Sequence, residues 1–214
     1  MLIDRESLWL AETNTYVVAA EAGRPAIIID APPDPAAVVE LLDRHDLIAA
    51  ALLVTHGHVD HIGGAGGVVS RTGVSAYLHP DDEWLALDPL TQVRLLFGSV
   101  PPGEFARPES YVDLADGQLL EIGGLSVEVL HTPGHTPGHC CFRVGGVLFS
   151  GDQLFAGSIG RTDLPGGDYN TLMESMQNKI LTLPDETEVL PGHGPATTLA
   201  RERRSNPFLQ DLIE

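Results

Sequence analysis

The sequence feature that most constrains this chain is a cluster of three histidines and one aspartate within six residues. The cluster follows an apolar run, residues 49–54, that is typical of a buried strand, so its side chains are expected in a loop at a sheet edge. His56 and His58 are two residues apart and point to the same side of an extended segment, while Asp60 and His61 follow at the turn. Imidazole and carboxylate groups together suit zinc, iron or manganese, so the cluster predicts a metal site.

Three later segments each place one more donor at the end of an apolar run. These donors are His135, Asp152 and His193, and glycine or proline flanks each of them. Such residues fix sharp turns and let the backbone approach a ligand closely. One metal takes three or four donors with a position left open, so seven donors favour two metals that share a carboxylate. A chance group of exposed histidines is the alternative, and the later donors argue against it.

The length and composition favour one globular domain over residues 1–214. A chain of 214 residues with 43% hydrophobic residues can bury a sizeable core, and no Ser/Gly-rich linker or charge block divides it. The formal net charge of −18 argues against nucleic acid and against an anionic membrane surface as partners. The oligomeric state is left open.

The expected location is the cytoplasm. The first residues lack the basic and apolar regions of a signal peptide, and no apolar run reaches the ~20 residues that span a bilayer. The two cysteines, Cys140 and Cys141, are adjacent, so on a strand their thiols face opposite sides. They are interpreted as small buried residues in a reducing compartment.

Short apolar runs alternate with helical segments, which predicts helices covering a sheet. Two short strands around a turn at residues 12–15 are expected within residues 8–20. A helix is expected over residues 35–45, with Asp34 as its N-cap and proline at its first position. Residues 88–110 carry four prolines and are predicted to form an irregular loop, which serves as a lid or a substrate wall.

Two residues outside the seven donors have candidate roles. Asp30 ends an apolar strand, and its carboxylate is expected to orient a site histidine, although an ordinary approach to the next helix is the alternative. His79 has no metal-like neighbours in the local sequence and is interpreted as structural.

The seven donors follow the order H-x-H-x-D-H, then H, D and H, which closely resembles the metallo-β-lactamase fold superfamily. The motif falls on His56, His58, Asp60, His61, His135, Asp152 and His193. The resemblance covers nearly the whole chain and implies a four-layer αββα sandwich, of the mixed α/β (α+β) class, with the metals at one edge of two facing sheets.

The resemblance also implies how the donors are shared between two divalent metal ions, with zinc favoured over iron or manganese. The first donor set consists of His56, His58 and His135, and the second donor set consists of Asp60, His61 and His193. Asp152 is expected to bridge both cations. Asp60 and Asp152 are accordingly the residues to which a catalytic role is assigned.

Within that superfamily the chain resembles short glyoxalase II-type hydrolases, which cleave thioesters such as S-lactoylglutathione. The matching segments are residues 151–155, 160–168, 191–195 and 206–209. The resemblance implies a small-molecule thioester substrate and attack on its carbonyl by a metal-bridging hydroxide. The longer enzymes carry a C-terminal helical domain that completes the glutathione pocket, and only about twenty residues follow the last histidine here. The reaction type therefore carries over better than the identity of the thiol.

Arg161 lies nine residues after Asp152, where the longer enzymes place a lysine near glutathione. The resemblance implies that Arg161 binds a substrate carboxylate. An ion pair of Arg161 with Asp163 or Asp168 is the alternative. Two tyrosines of the longer enzymes are replaced here by Asp163 and Pro195, so the resemblance does not extend to the whole glutathione pocket.

Three other functions remain open from the sequence. A persulfide dioxygenase of the same superfamily would use one iron held by two histidines and an aspartate. A lactonase or β-lactamase is less favoured by the C-terminal motifs. A non-catalytic domain with structural metals is disfavoured, because structural zinc sites are usually rich in cysteine and closed.

Overall fold

Two six-stranded sheets form the frame of the protein, which a computed structural model describes over residues 1–212, apart from the side chain of Phe97. The strands of the first sheet are β1 (Leu2–Leu8), β2 (Thr13–Ala19), β3 (Pro25–Ile29), β4 (Ile48–Leu53), β5 (Ala76–Leu78) and β6 (Val112–Asp113), paired in that order. The strands of the second sheet are β7 (Leu119–Ile122), β8 (Leu125–His131), β9 (Cys140–Val144), β10 (Val147–Gly151), β13 (Glu188–Pro191) and β14 (Thr197–Thr198), in the order β14-β13-β10-β9-β8-β7. A separate ribbon pairs β11 (Leu154–Phe155) with β12 (Ser158–Ile159).

Helices cover the outer faces of both sheets. They are α1 (Pro35–Asp43), α2 (Val59–Ile62), α3 (Ala65–Thr72), α4 (Glu83–Ala86), α5 (Pro89–Phe97), α6 (Tyr169–Ser175) and α7 (Leu199–Ser205). A π-helical segment, Met176–Ile180, continues α6, and short 3-10 turns cover Pro80–Asp82 and Gln210–Leu212. Within residues 1–212 no helix has the length and apolar character needed to span a bilayer.

Alternate side chains along the strands of the first sheet point to opposite faces and form two hydrophobic layers. On β3, Ile27 and Ile29 pack between the two sheets, while Ile28 packs against the outer helices. The side-chain period of two along a strand causes this division, and Leu53 and Leu52 of β4 repeat it. Both strands are buried on both faces, which explains their nearly continuous apolar sequences.

The second sheet divides its side chains in the same way. Cys140 and Phe142 of β9 face the first sheet, and Cys141 faces α6 and α7. Both cysteines are free and buried, as the sequence predicts for small core residues on opposite faces. The resulting order of layers is helices, sheet, sheet, helices, so the predicted αββα sandwich is confirmed.

Parallel pairing brings the loops of the site to one edge. β3, β4 and β5 are parallel neighbours in the first sheet, and β10 and β13 are parallel neighbours in the second. The carboxyl ends of parallel strands lie at the same edge, so the loops that follow β4, β10 and β13 converge there.

The prediction of an irregular loop over residues 88–110 is wrong for its first part, which forms α5. Asp88 caps this helix by accepting a hydrogen bond from the Thr91 amide at 3.0 Å, and Pro89 occupies the first turn, where proline is favourable. Gly98 ends the helix in the left-handed region with φ of 72°. Proline breaks a helix in its interior but is favourable in the first turn, so Pro89 is compatible with the helix that it begins. The expected turn at residues 12–15 also lies too late, because β2 already begins at Thr13.

Candidate metal centre

The first donor set forms a small triangle of imidazole nitrogens. His56 Nε2 lies 3.1 Å from His58 Nδ1 and 3.1 Å from His135 Nε2, and the last two atoms are 2.9 Å apart. His56 and His58 come from the loop after β4, and His135 comes from the loop between β8 and β9. All three side chains are buried. Spacings near 3 Å are those of neighbouring ligands around one cation with metal–nitrogen distances of about 2.0–2.1 Å.

The second donor set forms a similar triangle beside the first. His193 Nε2 lies 3.2 Å from His61 Nε2 and 3.2 Å from Asp60 Oδ2, and the last two atoms are 3.4 Å apart. Asp60 and His61 lie on the single-turn helix α2, and His193 follows β13. The turn between His58 and Asp60 thus separates the two sets, as the spacing in sequence predicts.

Asp152, directly after β10, lies between the two triangles. Its Oδ2 is 3.5 Å from His135 Nε2 of the first donor set and 3.6 Å from His193 Nε2 of the second. Its Oδ1 is 3.4 Å from His61 Nε2 and is buried without a hydrogen-bond partner among the described residues. A buried carboxylate oxygen without a donor is costly, so this atom requires a ligand that the protein chain does not supply.

Gly192 makes this close approach sterically feasible. A Cβ at that position would overlap Asp152 Oδ1 and lie 2.7 Å from His61 Cε1. The glycine before His193 therefore lets the strand end pass directly against the carboxylate.

Asp30 contacts the His61 ring nitrogen that faces away from the second donor set, which confirms the prediction of an orienting contact. Its Oδ2 lies 2.8 Å from His61 Nδ1, and its Oδ1 accepts a hydrogen bond from the Thr55 amide at 2.7 Å. The backbone of Asp30 lies in the left-handed region with φ of 62°, so the chain turns to aim the carboxylate at both partners. This contact fixes the ring so that Nε2 faces the second donor set.

Two buried side chains that the sequence left unassigned also hold the site. Asp82 accepts hydrogen bonds from the amides of Gly57 at 2.8 Å and Gly138 at 2.6 Å, so it joins the loop of His58 to the loop of His135. His139 Nε2 accepts a hydrogen bond from the Asp152 amide at 3.1 Å. The repeated histidines of residues 131–139 were a signal for His139, but no local pattern distinguishes Asp82 from its acidic neighbours.

Thr13 is a third such residue. Its hydroxyl donates to Asp60 Oδ2 at 3.0 Å, and its backbone forms an isolated bridge with His193. Both partners belong to the second donor set. The start of β2, which the sequence placed inside a turn, is therefore part of the wall of the site.

The family model described as the metallo-beta-lactamase superfamily matches residues 9–193, which span both donor sets. This chain belongs to the metallo-beta-lactamase superfamily. The matched region includes all seven candidate ligands, and the αββα layers agree with this assignment.

Relatives within the metallo-beta-lactamase superfamily differ in their names. The hydroxyacylglutathione hydrolase GloC of Haemophilus influenzae is 39% identical over 186 residues, covering 86% of this chain and 87% of that protein. The BLEG-1 B3 metallo-beta-lactamase superposes with a TM-score of 0.88 at 40% identity, covering 97% of this chain and 99% of the other. TTHA1623, solved in a di-iron-bound form, has a TM-score of 0.85 at 40% identity, covering 96% of this chain and all (100%) of the other. These similarities support a metallo-hydrolase without fixing the substrate or the metal.

The first donor set consists of neutral imidazoles. Burial lowers the pKa of His58 to about 3, and the nearby His135 adds to this effect. Burial likewise lowers the pKa of His135 to about 4, and it lowers the pKa of His56 well below its usual value. Neutral imidazole is the form that binds a cation, so these three side chains are ready to bind without releasing protons.

The second donor set holds protons instead. Burial acts to lower the pKa of His61, but the carboxylates of Asp60, Asp152 and Asp30 outweigh it and raise the pKa well above its usual value. The pKa of His193 is also raised, because its hydrogen bond to Asp60 and the charge of Asp152 outweigh burial. A cation at this set must therefore displace protons.

The chemistry of the donors fits divalent transition metals. Five imidazoles and two carboxylates suit zinc, iron or manganese, and each triangle offers its three ligand atoms within 4.8 Å of one another. A cation held by the second donor set would satisfy Asp152 Oδ1, which lies 3.4 Å from His61 Nε2 and has no hydrogen-bond partner among the described residues. The residues of this chain therefore fit the binuclear centre that the sequence predicts.

His79 takes part in a different contact, a parallel stack on His131 with ring centroids 3.9 Å apart and an interplanar angle of 7°. Asp81 completes a group of three potential ligands there. The nitrogen lone pairs of two stacked rings lie in parallel planes and do not converge on one point. This geometry supports the interpretation of His79 as structural.

Arg161 pairs with Asp163. Its Nε and an Nη atom lie 2.6 and 2.7 Å from the two carboxylate oxygens, and this pairing lowers the pKa of Asp163 to about 2. The structure thus contains the ion pair that is the alternative to substrate binding, and a role of Arg161 toward substrate stays a prediction. The Arg161 carbonyl oxygen lies 2.7 Å from His135 Nδ1, so the residue does contact the first donor set through its backbone.

Proposed function

We propose that this protein hydrolyses thioesters of the hydroxyacyl-thiol type at a pair of divalent cations, with zinc as the favoured metal. The observation that carries this proposal is the position of Asp152 between the two donor sets. Its Oδ2 lies near a histidine of each set, and its Oδ1, beside His61, has no hydrogen-bond partner among the described residues. The similarity to a hydroxyacylglutathione hydrolase supports the thioester as substrate.

Two cations held in this way supply a water molecule of lowered pKa and a Lewis acid for the carbonyl oxygen. The protein contributes a fixed arrangement of ligands. Asp30 and the Arg161 carbonyl orient His61 and His135 through their second ring nitrogens, at 2.8 and 2.7 Å. Contacts of this kind set the tautomer, so the nitrogen that faces the centre is free to bind.

The residues around the site also match the demands of a thiolate leaving group. A thiol with a pKa near ~8.5 leaves as the anion without strong proton donation, so a general acid is unnecessary. The two cysteines cannot act as nucleophiles, because burial raises the pKa of the Cys141 thiol to about 12 and raises that of Cys140 as well. A covalent intermediate on a cysteine is therefore not expected.

The test combines metal analysis of the purified protein with a panel of substrates. We expect two equivalents of metal per chain and hydrolysis of S-lactoylglutathione or a related hydroxyacyl thioester, with loss of activity on chelation and recovery on addition of zinc. Hydrolysis of a β-lactam or a lactone in preference to every thioester would overturn the proposal. One equivalent of iron together with oxygen uptake on glutathione persulfide would instead establish the dioxygenase alternative.

A further inference from the structure

A cavity of about 390 Å³ opens beside His58 of the first donor set. Its walls come from α4, from α5 and from residues 164–165 of the loop that follows Arg161. The volume lies in the range of small-molecule binding sites, and a candidate metal ligand lines the cavity. A substrate whose carbonyl lies at the metal centre can therefore extend one of its substituents into this space.

The wall of the cavity is mostly apolar. The side chains that form it include Trp84, Leu85, Leu95, Leu96, Leu164 and Pro165. Several of them are exposed apolar residues at the cavity mouth, with Leu95 at 78% and Trp84 at 49% exposure. Large apolar side chains that stay exposed next to a reactive centre indicate a surface that a ligand covers.

The polar side chains in the wall are already bonded to the protein. Gln92 donates to the carbonyl oxygens of Gly57 at 2.9 Å and Leu85 at 2.6 Å, and its Oε1 accepts from the Val59 amide at 3.2 Å. Thr91 is similarly engaged, because its hydroxyl donates to the helix-capping carboxylate of α5 at 2.7 Å. Gln92 therefore fastens α5 to the peptides on either side of His58 and leaves little polar capacity for a ligand.

The charges around the cavity disfavour an anionic ligand. Among the described residues that line it, none is a lysine or an arginine, and Asp88 is an acidic group. The nearby guanidinium of Arg161 is paired with Asp163. Since glutathione carries two carboxylates, binding it here would move negative charge from water against a wall that has no lysine or arginine among its described residues.

We propose that this cavity binds an uncharged apolar group of the substrate, an alkyl or aryl substituent on the acyl or the thiol side, and that Leu95 and Leu96 set this specificity. The inference rests on the proposed thioester hydrolysis and deepens it by naming the substrate class. Thioesters with an apolar substituent and an uncharged thiol are then preferred over S-lactoylglutathione.

The experiment measures kcat/KM of the zinc-loaded protein on two series of thioesters. Acetyl, butanoyl, hexanoyl and benzoyl groups are attached either to glutathione or to the uncharged thiol N-acetylcysteamine. We expect kcat/KM to rise by up to about fourfold for each methylene that enters the cavity. A rise with acyl length assigns the cavity to the acyl side. If the cavity holds the thiol side, the rise appears instead when the thiol of an acetyl thioester is lengthened from ethanethiol to hexanethiol.

The variant Leu95→Gln removes the apolar contact at a highly exposed position, so folding is preserved. We expect it to flatten the dependence on chain length and to retain its metal. Leu119→Gln is the matched control, because Leu119 is a 65% exposed leucine on β7 that does not line the cavity, and it should keep the slope. A second readout is the fluorescence of Trp84, which should shift when hexanoate or hexanethiol binds and should lose that response in Trp84→Phe.

The outcomes separate this inference from the proposed function. Rates that are independent of chain length on both sides, or a clear preference for S-lactoylglutathione over every uncharged thioester, would overturn the inference and leave thioester hydrolysis intact. Absence of hydrolysis of S-lactoylglutathione and of every thioester in both series, with two metals bound, would overturn the proposed function itself.

Discussion

The two donor sets lie side by side, yet they differ in how they hold protons. The first donor set contains three histidines packed against one another, and burial keeps them neutral, with the pKa of His58 at about 3 and that of His135 at about 4. The second donor set contains Asp60 and lies next to Asp30, and these carboxylates raise the pKa of His61 and His193. With similar ligand chemistry, the first set would therefore bind a cation without releasing protons, and the second would exchange protons for it.

This comparison shows that the carboxylates, more than the histidines, distinguish the two halves of the centre. A histidine beside other histidines stays neutral, because its protonation would place positive charges close together. A histidine beside a carboxylate is protonated more readily, because the negative charge stabilises the imidazolium. Without metal, the second donor set is an ion-pair network, and a cation replaces the protons as the positive partner. The predictions below test this difference, beginning with the residue that joins the two sets.

The largest effect is expected from Asp152→Ala, because this side chain contacts both donor sets. We expect kcat/KM to fall by about a thousandfold or more, the scale seen when a central electrostatic group is removed from a site. Metal content should fall with it, from two equivalents toward one. The shape-matched variant Asp152→Asn, which keeps one carbonyl oxygen, should retain more metal than the alanine variant. Full activity and two metals in Asp152→Ala would show that the sets do not share this ligand.

The second largest effect is expected from acidification, which should lower the metal affinity of the second donor set more than that of the first. Above about pH 4 the imidazoles of the first donor set are neutral, so its metal affinity should change little between pH 7 and 5. The raised pKa values of His61 and His193 mean that protons compete for the second donor set, so its affinity rises with pH and falls on acidification. The loss is about tenfold per pH unit for each proton displaced.

Equilibrium dialysis at pH 7 and pH 5 with metal analysis measures this difference. One equivalent should remain at the lower pH while the other is lost, and titration calorimetry in two buffers should detect proton release for the weaker site only. Equal loss of both equivalents would contradict the proposed asymmetry.

A smaller effect is expected from Asp30→Asn, which removes the charge behind His61 and keeps the shape of the side chain. Loss of an orienting carboxylate typically lowers metal affinity by about 10–100-fold, and here the loss should be confined to the second donor set. The matched comparison is Asp82→Asn, which alters the support of the loops around the first donor set instead. If Asp30→Asn weakened both sites equally, the contact at 2.8 Å would not belong to the second set alone.

Much of the site could be predicted because each candidate ligand lies where an apolar run ends. His135, Asp152 and His193 follow strands whose sequences are clear, and glycine or proline marks each turn. Asp82 could not be found in this way, since its role comes from hydrogen bonds to Gly57 and Gly138, which are 25 and 56 residues away. Helix α5 is not predicted for a local reason, because its one proline, Pro89, indicates a loop although it stands at the first turn of the helix.

The sequence by itself determined the chemistry of the donors and the edge at which they meet, because strand periodicity and turn residues are local properties. Only the tertiary structure decided which histidines carry protons and which apolar side chains form a cavity beside them. Those properties depend on burial and on charges brought close from distant segments, such as Asp30 against His61 and α5 over His58. Electrostatic and packing energies of this kind follow distances in space, which the order of residues along the chain does not contain.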